Sequence, residues 1–271
     1  MNINEYLPPR VAIIEMHGVI GPRVRPHEFT KLLQEVGTNP RLKAVVLDVD
    51  SPGGSAFASE DIYLAAKKLA TKKPLVAAVR GVGASGSYMV AVAAERIFAL
   101  PTAVIGSIGV ISARPMVEEL LDKVGVEMIV AKAGASKDAG SLFRQPTPEE
   151  LKREQELLND VHARFQEIVA EGRANLTAER VTELATGDIH LGTKALELGL
   201  IDELGTLDDA VEQAASLAGI KPETLVLRPR RSLAQMLMTR GATALVDAMG
   251  QATVEALAER LYARSLGLPQ R

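Results

Sequence analysis

The stretch that decides the fold is Ala44–Gly54, AVVLDVDSPGG. Its first six residues, Ala44–Val49, form a near-continuous apolar run rich in valine. That pattern belongs to a strand covered on both faces, as in a parallel sheet. Two adjacent glycines follow, and a helical pattern begins at Ala56 and runs to Ala70, with Ile62, Ala65, Ala66 and Leu69 on one stripe. A strand, a glycine turn and a helix in this order make one half of a crossover unit.

The same alternation extends on both sides. Val11–Glu15 reads as a strand and Pro26–Val36 as a helix. Leu75–Val79 reads as a strand, Gly86–Ala94 as a helix, and Ile97–Leu100 and Val104–Ile111 as extended segments. A long helix is expected from Pro148. Thr147 can cap it, Pro148 suits the first helical position, and Glu150 completes a T-x-x-E capping box. Its apolar stripe is expected at Leu151, Leu158, Val161, Phe165 and Ile168, and Gly172 is a natural stop. Thr177–Leu184 and Leu207–Ala218 are further helices. Ser232–Arg264 is helical in pattern, rich in Ala, Leu and Met, and interrupted by Gly241 and Gly250. Residues 221–271 carry eight Lys/Arg against four Asp/Glu, in a chain whose net charge is −3. This arm reads as a terminal packing helix, for example in an oligomer; contact with a membrane surface is the second reading. The expected organisation is therefore a domain over 1–220 and a helical arm over 221–271.

Composition excludes several classes. At 271 residues and 47% apolar, the chain can bury a large core. Aromatics are 3%, so that core must be aliphatic. Balanced charge argues against nucleic acid as the main partner. With no cysteine, a disulfide scaffold, a thiolate metal site and a Cys nucleophile are ruled out. The histidines, His17, His27, His162 and His190, show no metal-ligand spacing. No apolar run reaches the length of a membrane span, and the first residues lack a secretory pattern. The expectation is a cytoplasmic or peripheral membrane protein, the latter including a chain from which an anchor has been removed.

Three segments can carry chemistry. Asp50–Ser55 (DSPGGS) ends the valine-rich strand, and its glycines free N–H groups to hold an oxyanion or an anion. Gly81–Ser87 (GVGASGS) surrounds Ser85 with small residues, so an acyl carbonyl can reach the hydroxyl. The Gly86 N–H then stands next to the nucleophile. Each also reads as a plain strand-to-helix turn. A serine nucleophile needs a base. Lys137, in the small-residue loop Gly134–Ser141 (GASKDAGS), is a candidate if burial lowers its basicity. An ordinary surface lysine fits the same composition.

Taken together, the segments resemble the signal peptide peptidase A family, the Ser–Lys peptidases of the ClpP/crotonase superfamily. The resemblance runs from about Val11 to Ala215 and rests on DSPGG (50–54), ASGSYMVA (84–91), GSIGV (106–110), SKDAGSLFR (136–144) and TKALELGLIDELG (193–205). It implies an α/β core of repeated ββα units with a C-terminal helical extension. It implies Ser85 as nucleophile, Lys137 as general base, and the N–H groups of Gly54 and Gly86 as oxyanion hole. Gly53, Ser107 and Asp138 are expected in support, with Ser107 at a turn beside the site and Asp138 orienting the Lys137 loop. Tyr88 is expected to pack. No metal or cofactor is implied. The implied substrates are unfolded or membrane-released peptides; apart from the resemblance, the few aromatics and many Val, Ala and Gly around the motifs point to a cut after small or apolar residues. The implied assembly is a homo-oligomer whose sites are shared between subunits. Two departures stand out. Ser87 replaces the family's usual second glycine, which would alter the backbone or add a hydroxyl to the site, and Leu142 replaces its usual proline. The alternatives are a crotonase-like thioester-binding protein or silent scaffold, and an esterase pairing Ser85 with His190.

Overall fold

The structure is a computed structural model that describes residues 8–229. The chain divides into two compact units, Met1–Arg228 and Pro229–Arg271. The helix expected at Ser232–Arg264 lies outside the described residues.

Eight strands form one sheet: β1 (Arg10–His17), β2 (Leu42–Ser51), β3 (Leu75–Ala84), β4 (Arg96–Ala99), β5 (Val104–Gly106), β6 (Ile189–Leu191), β7 (Glu203–Leu204) and β8 (Thr224–Leu227). The main path runs β6-β5-β3-β2-β1-β8, with β4 and β7 branching from β3. Every pairing is parallel except β5 with β6. The helices are α1 (Pro26–Thr38), α2 (Ala56–Ala70), α3 (Gly86–Ala91), α4 (Glu118–Lys123), α5 (Pro148–Gly172), α6 (Ala178–Leu184), α7 (Gly192–Glu197) and α8 (Leu207–Ala218). Helices α2, α5 and α8 match the sequence reading end to end. The expected extended run over Val104–Ile111 stops at Gly106. β8 has only four residues, too few for a pattern, yet it continues the sheet beyond the expected domain boundary by pairing with β1.

Each long strand is apolar on both faces because each face is covered. Ile14, Met16, Leu47, Val49, Ala77 and Val79 point to one face, packed with α1, α2, α3 and the end of α5. Val11, Ile13, Ala44, Val46, Val76 and Ala78 point to the other, packed with Ala210, Val211, Ala214 and Ala215 of α8.

The feature that builds the site is the length of β3. Its first half pairs with β4, Val76–Val79 against Arg96–Ala99. Its second half pairs with β5, Val82–Ala84 against Val104–Gly106. Between them the register with β2 slips: Val49 faces Val79, but Ser51 faces Gly83. The two extra residues in β3 form a bulge that re-aims the strand. The ends of β2 and β3 thus emerge side by side, each leading into a glycine turn.

Candidate active site

Ser85 sits on the turn between β3 and α3 with φ 55° and ψ −126°. A non-glycine residue held there costs on the order of 1–3 kcal/mol, so its surroundings must impose it. The Ser85 N–H donates to the Gly106 carbonyl at 2.8 Å, and its carbonyl accepts from the Met89 N–H at 3.0 Å. This geometry lifts the side chain off the sheet end.

The DSPGG loop runs directly against this turn. Gly53 has φ 88°, and a Cβ built on it would lie 2.6 Å from the Gly86 nitrogen and 2.9 Å from Ser85 Cβ. No side chain fits there. Gly86 is equally confined: a Cβ would lie 2.0 Å from Ser59 Oγ. That same Cβ position is 3.5 Å from the Gly54 nitrogen, so the Gly54 and Gly86 backbones converge. The loop is tied to Ile20, whose N–H donates to Gly53 O (2.8 Å) and whose carbonyl accepts from Ser55 N (3.1 Å). This bridge pairs Ile20 with Gly54 without using the Gly54 N–H, and Gly86 opens its helix. Neither N–H has a backbone acceptor among the described residues.

Ser85 opens into a pocket of about 370 Å3. Ser107, Gly109, Val110 and Ile111 line one wall, and Thr186 and Gly187 another. Ser107 is also at positive φ, 50°, with its N–H on the Asp188 carbonyl. The remaining wall is α5: Gln155, Leu158, Asn159 and His162. The sequence reading leaves out Gln155 and Asn159, places Leu158 on the helix's apolar stripe and His162 among the histidines, and gives none of the four a place at the site. Their spacing, i, i+3, i+4 and i+7, is one helical stripe, and that was the available signal. His190 is not on this wall; it lies in β6 opposite Ile105.

Lys137 is exposed in the turn following Gly134. It neither lines the Ser85 pocket nor bonds to Ser85. The loop around it is fastened to α5. Ser136 Oγ accepts from Arg153 at 2.7 Å, Asp138 accepts from Arg144 at 2.9 Å and from Lys132, and Arg144 continues to Glu150. The Arg144 and Lys132 bonds hold the Asp138 carboxyl well below its ordinary range. Arg144 and the Thr147 N–H bring Glu150 down to about 2. Asp138 is thus bonded to Lys132 and Arg144 on either side of Lys137 in the sequence.

Ser87 adds no hydroxyl to the pocket. It is fully buried, and its Oγ points inward at the Ser51 carbonyl (2.6 Å) and the Ala84 carbonyl (2.8 Å). Tyr88 is fully buried too, with its hydroxyl donating to Leu200 O at 2.7 Å. Burial pushes its phenol far above the usual range. Among the described residues, no helix is long and apolar enough to cross a membrane.

Known proteins bear on this geometry. In fold, the chain is similar to a ClpP1 mutant from Listeria monocytogenes, with a TM-score of 0.51 and 16% identity over 73% of this chain and 93% of that one. In sequence, it is 40% identical over 218 residues to the Synechocystis sp. protein slr0021, covering 80% of this chain and 78% of that protein. It is 31% identical to Protease 4 of Haemophilus influenzae over 81% of this chain, and 31% identical to the chloroplastic serine protease SPPA of Arabidopsis thaliana over 87%. It spans 37% of the length of each of those two. Residues 67–221 match the model of peptidase family S49. The chain belongs to peptidase family S49 and is a serine peptidase with a ClpP-like fold.

Proposed function

We propose that the chain is an endopeptidase that works through a Ser85–Lys137 dyad on unfolded or membrane-released peptides, such as signal peptide remnants. The observation that carries this reading is the strained Ser85 turn packed against the converging Gly54 and Gly86 N–H groups. Strain of this kind, beside unengaged donors, is what acyl transfer uses.

In the reaction, the neutral Lys137 amine takes the Ser85 hydroxyl proton as Oγ attacks the peptide carbonyl carbon. The Gly54 and Gly86 N–H groups hold the resulting oxyanion. The tetrahedral centre collapses, the C–N bond breaks, and lysine returns the proton to the leaving amine. Water, deprotonated by the same lysine, then releases the acyl group from Ser85. Val110, Ile111, Leu158 and Ala185 on the pocket wall fit a small or aliphatic side chain before the cut.

Because Lys137 is exposed and outside the Ser85 pocket, the amine is supplied by the partner subunit's Lys137 in a homo-oligomer. Exposed apolar side chains from Ile111 to Leu157 support such an assembly. The test is complementation. Inactive Ser85→Ala mixed with inactive Lys137→Ala should regain activity once subunits exchange. Exchange without regained activity, in an enzyme that stays active as a dilute monomer, defeats the shared site. His162 is a base that lines the pocket itself. An inactive His162→Ala beside a fully active Lys137→Ala would transfer the role to histidine.

A further inference from the structure

Ser87 is one of very few fully buried polar side chains among the described residues, and the reaction above gives it no part. Its hydroxyl has one proton to donate, and two carbonyls lie within reach. Ala84 O, at 2.8 Å, belongs to the peptide bond that leads into Ser85. Ser51 O, at 2.6 Å, belongs to the peptide bond that opens the DSPGG loop. On the loop side, Ser51 Oγ in turn accepts from the Gly53 N–H at 3.2 Å. The two arms that must converge for an oxyanion are therefore joined underneath by one side chain.

In this chain the tie lies closest to the nucleophile turn. Ser85 is held at φ 55°, a conformation that relaxes when its support is lost. Below the glycines the loop is tied to β3, through Ser51 paired with Gly83 and the Val82 N–H donating to Asp50 Oδ1 at 3.1 Å; at the level of Ser85 it meets the nucleophile turn through tight contacts of glycine backbone. Contacts exclude overlap but do not stop the arms drifting apart; a hydrogen bond fixes the separation.

We propose that Ser87 is a positioning residue for acyl transfer: it sets the distance between the Gly54 and Gly86 N–H groups and holds the Ser85 turn in its strained form. This rests on the reading of Ser85 as nucleophile. The geometry it sets matters most for the tetrahedral state, because the oxyanion forms only there.

The test uses the full chain, a fluorogenic peptide with an aliphatic residue before the cut, and a peptide boronate that mimics the tetrahedral state. Active sites are counted by fluorophosphonate labelling, with Ser85→Ala as the unlabelled control. Ser87→Ala should lower kcat per labelled site by about 10- to 100-fold, as expected when reacting groups are misplaced by a fraction of an ångström. KM should stay within about twofold, and boronate affinity should fall in step with kcat/KM. Ser87→Cys, close in size but a weak donor, should lie between. A merely structural role would lower the melting temperature while leaving kcat per site and boronate affinity unchanged, and that result overturns the proposal. If the alanine variant does not fold, the cysteine variant carries the same prediction and the same refutation. Absence of label on Ser85 in an actively cleaving wild type overturns the reading of Ser85, and the role of Ser87 with it.

Discussion

The sheet around β2 and the stretch from Ile111 to Leu157 use apolar residues in opposite ways. Along β2, Ala44–Val49 is buried without a break, with α1 and α2 on one face and α8 on the other. Along the second stretch, Ile111 is 85% exposed and Ile129 is 90% exposed, and α4 buries no residue. Helix α5 crosses from one region to the other. Its far half buries Phe165, Ile168 and Val169, while Leu151 and Leu157 in its near half are open to solvent. The apolar stripe expected along the whole helix is thus a core stripe only beyond His162. An aliphatic side chain left in water forgoes roughly 1.5–3 kcal/mol. So many in one stretch are what the homo-oligomer proposed above would cover. In the mechanism proposed above, the core holds the nucleophile and its oxyanion donors, and the open stretch carries the lysine. On that reading, the fold completes the first half of the dyad alone and leaves the second to assembly.

The largest expected effects test that division of labour. Ser85→Ala should lower peptide cleavage by about 10³-fold or more, and Lys137→Ala nearly as far, because a nucleophile and its base act as a unit. Thermal unfolding should be unchanged in both, since neither side chain fills the core. Lys137→Arg should not rescue, because guanidinium stays charged. The wild-type rate should rise with pH, as only the neutral amine accepts a proton. A steady fall from pH 6 to 9 in a stable enzyme would remove Lys137 from the mechanism.

The next test compares the two halves of α5 directly. Phe165→Ala, at a fully buried position, should cost about 3–5 kcal/mol in denaturant unfolding. Leu157→Ala should stay within about 0.5 kcal/mol in the dilute chain, yet weaken self-association measured by sedimentation. Equal losses at both positions would mean the open stretch is packed in the single chain after all. Ile129→Asp sharpens the point: assembly and activity should fall together, while the melting temperature of the dilute chain holds.

The smallest effect concerns the Lys137 loop. Asp138 and Glu150 both ionise more easily in the folded chain, because Arg144 bonds to each. A lowered carboxyl pKa stabilises above the unfolded value and loses that contribution as pH falls. For Glu150 the window runs from 4.5 down to about 2. Amide exchange in residues 136–150 should therefore quicken across that window, relative to β2, whose amides should hold. Arg144→Ala should bring the same quickening at neutral pH. Exchange that stays flat in both conditions would show that other contacts hold the loop.

Much of the fold was legible. The unbroken valine run of β2, the glycine turns and the capping box of α5 are local signals, and they led to the strands and helices around the site. Short elements such as β6, β7 and β8 carried no such signal; they are strands only because an edge of the sheet was waiting for them. Ser85, Gly54 and Gly86 were named from small-residue turns and from the family resemblance. The α5 wall of the pocket, Gln155 to His162, was not legible as a wall, because a mixed helical stripe of Gln155, Leu158, Asn159 and His162 looks the same whether it faces water or a cleft.

By itself, the sequence determined the long strands and helices of the core and pointed to the glycine turns and to the Ser85 hydroxyl between them. Tertiary structure decided what those residues face. It turned Ser87 inward to two carbonyls instead of outward to the pocket. It bulged β3 so that two glycine turns meet, and it left Lys137 on an uncovered surface. The physical reason is one of range. Backbone conformation and helix capping are settled by neighbours a few residues apart, whereas burial and the partner of a polar group depend on segments far away in the chain.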